Sequence, residues 1–300
     1  NLAGNSGQLV SSVAIGDSAG QTNQGTLSVA IGADAGTTSQ ATKSVAVGNL
    51  AGNTGQSAWT VAVGDEAGRT DQGILAISVG KKAGTTIQGD NSVSIGYLAG
   101  NSSQLVSSVA IGKSAGETTQ GTLSVAMGFE TGKTSQGANS VAIGNLAGND
   151  SQLVSSVAIG DSSGQTDQGT LAVAVGKDAG KTSQGANSVA MGNLAGNSGQ
   201  LVSSVAIGNS AGQITQGTLS VAIGKDAGKT SQLSSSVAIG DTAGQTSQGT
   251  LAISVGKDAG STSQGANSVA MGNLAGNSGQ LVSSVAIGDS AGQTDQGTLS

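Results

Sequence analysis

A tetrapeptide of the form Val/Ile–small–Val/Ile/Met–Gly returns every sixteen residues, at Val13, Val29, Val45, Val61 and Ile77, and on without slippage to Val269 and Val285. Eighteen starts at one spacing leave little freedom of architecture, because a fixed short period is the mark of stacked repeats. Sixteen residues cannot enclose a core of their own. Each copy must bury its apolar positions against the next.

Composition removes the rival readings. With 52 Gly, no Pro, no Cys, no His and one each of Trp, Tyr and Phe, the chain lacks the large side chains that fill a globular core. Glycine without a three-residue period and without Pro excludes collagen. A disordered Gly/Ser/Gln chain has no reason to hold Val and Ile in register over eighteen copies. The net charge of −6 is thinly spread, so no basic stripe for nucleic acid is present. No apolar run is long enough to insert in a membrane. Without His or Cys there is neither a catalytic triad nor a zinc site, and nothing positions a Ser–Lys dyad, so no enzyme and no cofactor are expected.

The repeat is numbered from its first Val, so that one copy, Val141 to Ser156, reads V-A-I-G-N-L-A-G-N-D-S-Q-L-V-S-S. Positions 1 and 3 are Val, Ile or Met and position 2 is Ala or Ser, the alternation of a strand with one bulky and one small face. Position 4 is Gly in all eighteen copies and position 8 is Gly in all nineteen, which predicts turns with φ > 0 or close chain approach. Position 10 is Thr or Ser in seventeen of nineteen copies, and position 12 is Gln from Gln8 to Gln296. The T-x-Q segment predicts a second strand.

Two strands and two turns per sixteen residues predict an all-β fold, a parallel β-solenoid (β-roll) of about nineteen coils and about 90 Å of stack. In-register stacking predicts a dry seam of Val/Ile columns and hydrogen-bonded ladders of Gln amides. The Ala/Ser face at positions 2 and 16 has two readings: a surface that lets a second sheet or chain approach, or the filling of a thin coil. Residues 1–300 read as one continuous array. No copy reads as a cap, as expected of a stretch from a longer fibrous protein.

Charge placement agrees with stacking. Eleven of the seventeen acidic residues occupy positions 5 or 6, and position 5 never repeats a charge in neighbouring coils, as in Asp161, Lys177, Asn193 and then Lys225, Asp241, Lys257. A longer period is superimposed. Three coil types, NLAGNSGQLVSS, DSAGQTDQGTLS and KDAGKTSQGANS, alternate every 48 residues, with one coil missing where Gln232 runs directly into Leu233.

The string N-S-V-A-I-G at Asn139 to Gly144, with variants at Asn91, Asn187 and Asn267, resembles the YadA-like head repeats of trimeric autotransporter adhesins. Similar S-V-A-I-G arrays occur in predicted surface proteins of large viruses. The resemblance implies a β-roll, a homo-oligomer (a trimer or a filament), a glycan or cell-surface receptor as partner, and an extracellular, cell-surface or virion-surface location. The chain departs from that family in its period, sixteen residues rather than fourteen, and in the added Ala-Gly pair and invariant Gln.

Several local motifs carry competing readings. G-K-D-A-G-K-T-S at Gly176 and Gly224, and G-F-E-T-G-K-T at Gly128, approach a phosphate loop but have three residues between the glycines where that loop needs four. Lys181 and Lys229 are therefore expected at a turn surface. Asp near the Gly turns lacks the spacing of calcium-binding rolls. The Thr column suggests an ice-binding face, interrupted by Asp150 and Ile214. Asn101 and Asn149 begin N-glycosylation sequons. Trp59, Tyr97 and Phe129 are expected as isolated surface contacts. The expected function is that of a structural fibre protein that self-associates, with an adhesin head or stalk, an ice-binding solenoid and an amyloid-like secreted filament as alternatives.

Overall fold

The structure, a computed structural model, describes residues 2–300 and contains two compact units, Asn1–Ser151 and Gln152–Ser300. Each is a parallel β-solenoid with a sixteen-residue turn, and no described residue is helical. The first strand of each coil spans positions 1–3 and pairs with its equivalent sixteen residues on. In the first unit Val29, Ala30 and Ile31 face Val45, Ala46 and Val47; in the second, Val189, Ala190 and Met191 face Val205, Ala206 and Ile207. The second strand pairs in the same register, as with Thr38↔Thr54 and Gln40↔Gln56, or Thr182↔Ser198 and Gln184↔Gln200.

The turn count is about seventeen rather than nineteen. Among the described residues there are eighteen strands of the first kind but sixteen of the second, because the segments around Ser6, Ser278 and Thr294 make only isolated bridges.

The core is the reverse of the expected seam. Ala at positions 2 and 7, Gln at 12 and Ser at 16 point inward: Ala190, Ala195, Gln200 and Ser204 are each fully buried. Val/Ile/Met at positions 1 and 3 face outward, with Met191 42% and Ile207 37% exposed. The thin-coil reading of the small residues therefore holds, and positions 2 and 16 present no face to another chain. The cause is the width of the coil. Gln200 Nε2 crosses it to donate to Val189 O at 2.8 Å and Ser204 O at 3.3 Å. Two columns of branched side chains between the strands would hold them too far apart for that bond.

The Gln column is thus mainly a set of braces within coils. Amide-to-amide bonds occur at a few steps only, such as Gln56 to Gln72 and Gln168 to Gln184, each 3.2 Å. Most of the Oε1 atoms have no hydrogen-bond donor, Gln200 among them. Oε1 of Gln200 lies 2.6 Å from where a Cβ on Gly196 would sit, so the position-8 glycine hydrogen fills the contact. Position 2 Ser changes this: Ser78 Oγ donates to Gln88 Oε1 at 2.6 Å, and Ser254 treats Gln264 alike.

Both invariant glycines are required. Gly208, at position 4, has φ 131°, and a Cβ there would lie 2.4 Å from the carbonyl oxygen of Gly224 in the next coil. Three further positions, 6, 11 and 15, hold residues other than Gly with φ near +55°, for example Leu194, Ser183 and Ser203. Ser at position 16 secures the last turn, as Ser204 Oγ donates to Leu201 O at 2.6 Å. Position 11 leaves the left-handed region in four successive coils, at Ile87, Ser103, Thr119 and Ser135. β-branched Ile87 is a poor left-handed residue. Ser135 and Ser183 occupy the same stretch, G-K-T-S-Q-G-A-N-S, yet only Ser183 is left-handed, so neighbouring coils decide the conformation.

Candidate functional site: an uncharged outer face

With Ala, Gln and Ser inside, the chemistry available to a partner is that of positions 1, 3, 5, 6, 9–11 and 13–15. Charge is sharply divided between them. Of 11 basic and 17 acidic residues, only Lys43 and Asp90 fall on positions 13–16 or 1–4; the rest lie on positions 5–11. The two exceptions are engaged: Lys43 Nζ sits 5.7 Å from the Trp59 ring centre, and Asp90 Oδ1 accepts from Ile74 N at 2.7 Å. In residues 152–300 the stripe from position 13 round to position 4 carries no charge at all.

That stripe is apolar. Position 3 supplies a column of exposed Ile, Val and Met, and the adjoining edge displays Leu153, Val154, Leu171, Leu201, Val202 and Leu219, each 46% exposed or more. A sheet face of this kind, made of identical apolar columns, suits contact with another flat surface better than capture of a small ligand.

The charged side is self-paired. Lys81 Nζ reaches Asp65 Oδ2 at 3.2 Å across one coil step, while Lys181–Asp178 and Lys229–Asp226 close i,i+3 pairs at 2.9 Å. Lys181 and Lys229 therefore belong to a surface turn, and no helix follows to complete a phosphate loop. The Asn49 amide, donating at 3.0 Å, and then the Lys81 ammonium hold the Asp65 carboxyl below the ordinary carboxylate range. Phe129 carries Lys113 Nζ 5.3 Å from its ring centre, so two of the three aromatics are stacked against lysines of the preceding coil.

The two sequon asparagines are structural donors. Asn101 Nδ2 donates to Lys82 O at 3.0 Å and Thr85 Oγ1 at 2.8 Å, and Asn149 Nδ2 donates to Glu130 O at 2.6 Å. Both are half-buried, and a glycan on either nitrogen would have to replace an inter-coil bond. The Thr column at position 10 faces outward beside left-handed position 11, with Asp71, Asp167 and Asp295 among its neighbours. Among the described residues no helix is long and apolar enough to cross a membrane. No protein-family model matches the chain, and no curated protein matches its sequence.

Proposed function

We propose that this chain is a non-enzymatic structural repeat protein that associates laterally with copies of itself through the uncharged outer face, as part of an extracellular or virion-surface fibre. The observation that carries the reading is the segregation of charge. Burying charged groups in an interface is costly unless they are paired, and interface cores are accordingly depleted in charge. Short repeats under no constraint would scatter charge over every outward position, yet positions 13–16 and 1–4 are almost free of it. The surface location rests on the likeness of N-S-V-A-I-G to YadA-like head repeats. The trimer of that family gains nothing from positions 2 and 16, which are consumed in this chain's own core.

The test is association mass. Ile159→Lys, Met191→Lys and Ile223→Lys place charges on alternate coils of the face without touching the core. Sedimentation and light scattering of the natural chain should show association that rises with concentration, and the triple variant should be monomeric with unchanged circular dichroism. A natural chain that stays monomeric at high concentration, or a variant that assembles equally well, overturns the proposal.

A further inference from the structure

We infer that the partner on the uncharged face is a single second copy running antiparallel, in a closed pair that sets leucine border against leucine border. The inference rests on the lateral association proposed above and adds the direction of the partner and the number of chains.

The two borders of the uncharged strand face differ. In every coil the chain enters the first strand through positions 13–15 and leaves it through positions 4–6, and in-register pairing repeats that order along the stack. In residues 152–300 the entry border bears no charge, and exposed Leu recurs on it, as at Leu153, Leu171, Leu201, Leu219 and Leu251. Leu171 N donates to Val154 O and Leu219 N to Val202 O, each at 3.1 Å, which sets apolar residues of neighbouring coils side by side. The exit border is a charged turn. Positions 5 and 6 of the same stretch hold six Asp and three Lys, Asp161 and Lys177 among them.

Chirality ties the facing of these borders to the direction of the chains. Two aligned copies of the stretch can lay this face on itself through one of two half-turns. A half-turn about the stacking axis leaves the chains parallel and sets each leucine border against the partner's charged turn. A half-turn about the line in the interface perpendicular to the stack makes them antiparallel. Leucine border then meets leucine border, and the charged turns lie together at the opposite, solvated rim. The parallel arrangement strips water from charges and offers them apolar side chains in return, which is costly.

Area requires the border to take part. Nine first strands in residues 152–300, three residues wide, present a face about 10 Å by about 43 Å, or roughly 430 Å² per partner. A stable pair of proteins usually needs about 800 Å² per partner. The leucine border is the apolar surface continuous with the strand face, and only the antiparallel arrangement gives it an apolar partner. The opposite sheet closes the assembly. Its positions 9–11 in this stretch are Thr, Ser, Gln, Asn, Gly, Lys and Asp, with Ile214 the one large apolar residue. With no second apolar face the interface is isologous and two-fold, and the pair does not grow into a stack of sheets.

The absence of native Cys permits the test on the full chain. Ser183→Cys, Thr215→Cys and Ser247→Cys each place one nitroxide at an exposed residue of the charged side, at intervals of two coils. Pulsed electron resonance then reads the distance between like labels in the assembled protein. In an antiparallel pair a move of two coils changes their axial separation by four coil spacings, about 19 Å, so the three distributions should differ. In a parallel pair any axial slip is common to every site. Three coinciding distributions therefore overturn the antiparallel arrangement and leave lateral association intact. Light scattering should give the mass of two chains. A mass that keeps growing with concentration overturns the closed pair alone, whereas a monomer overturns the pair and the lateral association together. A second variant reads the borders by charge. Leu171→Lys, Leu219→Lys and Leu251→Lys act at position 15, where Lys43 already stands in the left-handed conformation. Facing Lys borders should weaken pairing at least about 10-fold at low salt, with partial recovery as salt is added. Tighter pairing at low salt would place the new Lys against the Asp-rich turn of a parallel partner and overturn the arrangement.

Discussion

Serine at position 2 should stabilise this core, although a buried hydroxyl normally weakens one. Ala158, Ala190 and Ala222 sit in alternate coils opposite Gln168, Gln200 and Gln232, whose Oε1 atoms have no donor. The natural precedent is Ser78, whose Oγ reaches Gln88 Oε1 at 2.6 Å while Gln88 Nε2 still donates to Ile77 O at 2.8 Å. A buried acceptor without a partner costs about 1–3 kcal/mol, and a typical new bond returns about 1 kcal/mol net after the hydroxyl is desolvated. Each Ala→Ser change should therefore add about 1 kcal/mol. Alternate coils are about 9.6 Å apart, far enough for near-additivity, so the triple variant should gain about 3 kcal/mol. Hydrogen exchange of the Val189 and Val205 amides reports it locally, which suits an array whose coils need not unfold together. Slowing of at least about 5-fold, the share of one substituted coil, is the expected outcome, rising to about 100-fold where a single opening spans all three. Faster exchange in the triple variant would show that the space beside Oε1 cannot take a hydroxyl and that the orphaned acceptors are not the weak point of the core.

Gln120→Leu removes the donors to Val109 O and Ser124 O, 2.6 and 3.4 Å away, and should cost about 2 kcal/mol, against no more than about 0.5 kcal/mol for exposed Thr119→Ala; protease resistance ranks the two. Gly208→Ala combines a φ of 131° with a Cβ 2.4 Å from Gly224 O and should cost about 3 kcal/mol or more, while Gly199→Ala, with nothing nearer than 3.7 Å, should cost about 1 kcal/mol in exchange-derived stability. Asp65 has a folded pKa below its ordinary 3.8, so its contribution is fully present above that value and fades as pH falls through the folded pKa. Asn49→Ala should move the carboxyl titration, followed by NMR, back toward 3.8, and no movement would remove the Asn49 bond as the main cause.

Period, parallel register, strand positions and the two glycine roles were legible because each depends on one coil meeting an identical neighbour, which a repeat displays openly. The direction of the strand faces was not. Alternation at positions 1–3 says that Val189 and Met191 share a side and Ala190 takes the other, but period alone cannot tell which side closes the coil. The deciding residue was Gln200, whose length fits a gap spanned from one side by a long amide and from the other by a methyl. The left-handed positions were partly visible: positions 6 and 15 hold a single β-branched residue, Thr242, and position 11 favours Gly, Asn, Asp and Ser. Ile87 marks the coil at which position 11 departs, whereas Ser135 does not differ locally from Ser183 and could be placed only by its neighbours. The uncharged stripe was written in the sequence as well, yet it becomes a surface only once positions 1 and 3 are known to point outward.

Thiol labelling across one strand tests that orientation most directly. Val205→Cys, Ala206→Cys and Ile207→Cys each give a chain with one cysteine, labelled at concentrations where the protein is monomeric. An outward position 3 predicts that Cys at 207 reacts at close to the free-thiol rate. Cys at 206 should react only through local opening, slower by on the order of 100-fold or more. Fast labelling at 206 with protection at 205 and 207 would return the branched side chains to the interior and contradict the thin Ala–Gln core on which the apolar face depends.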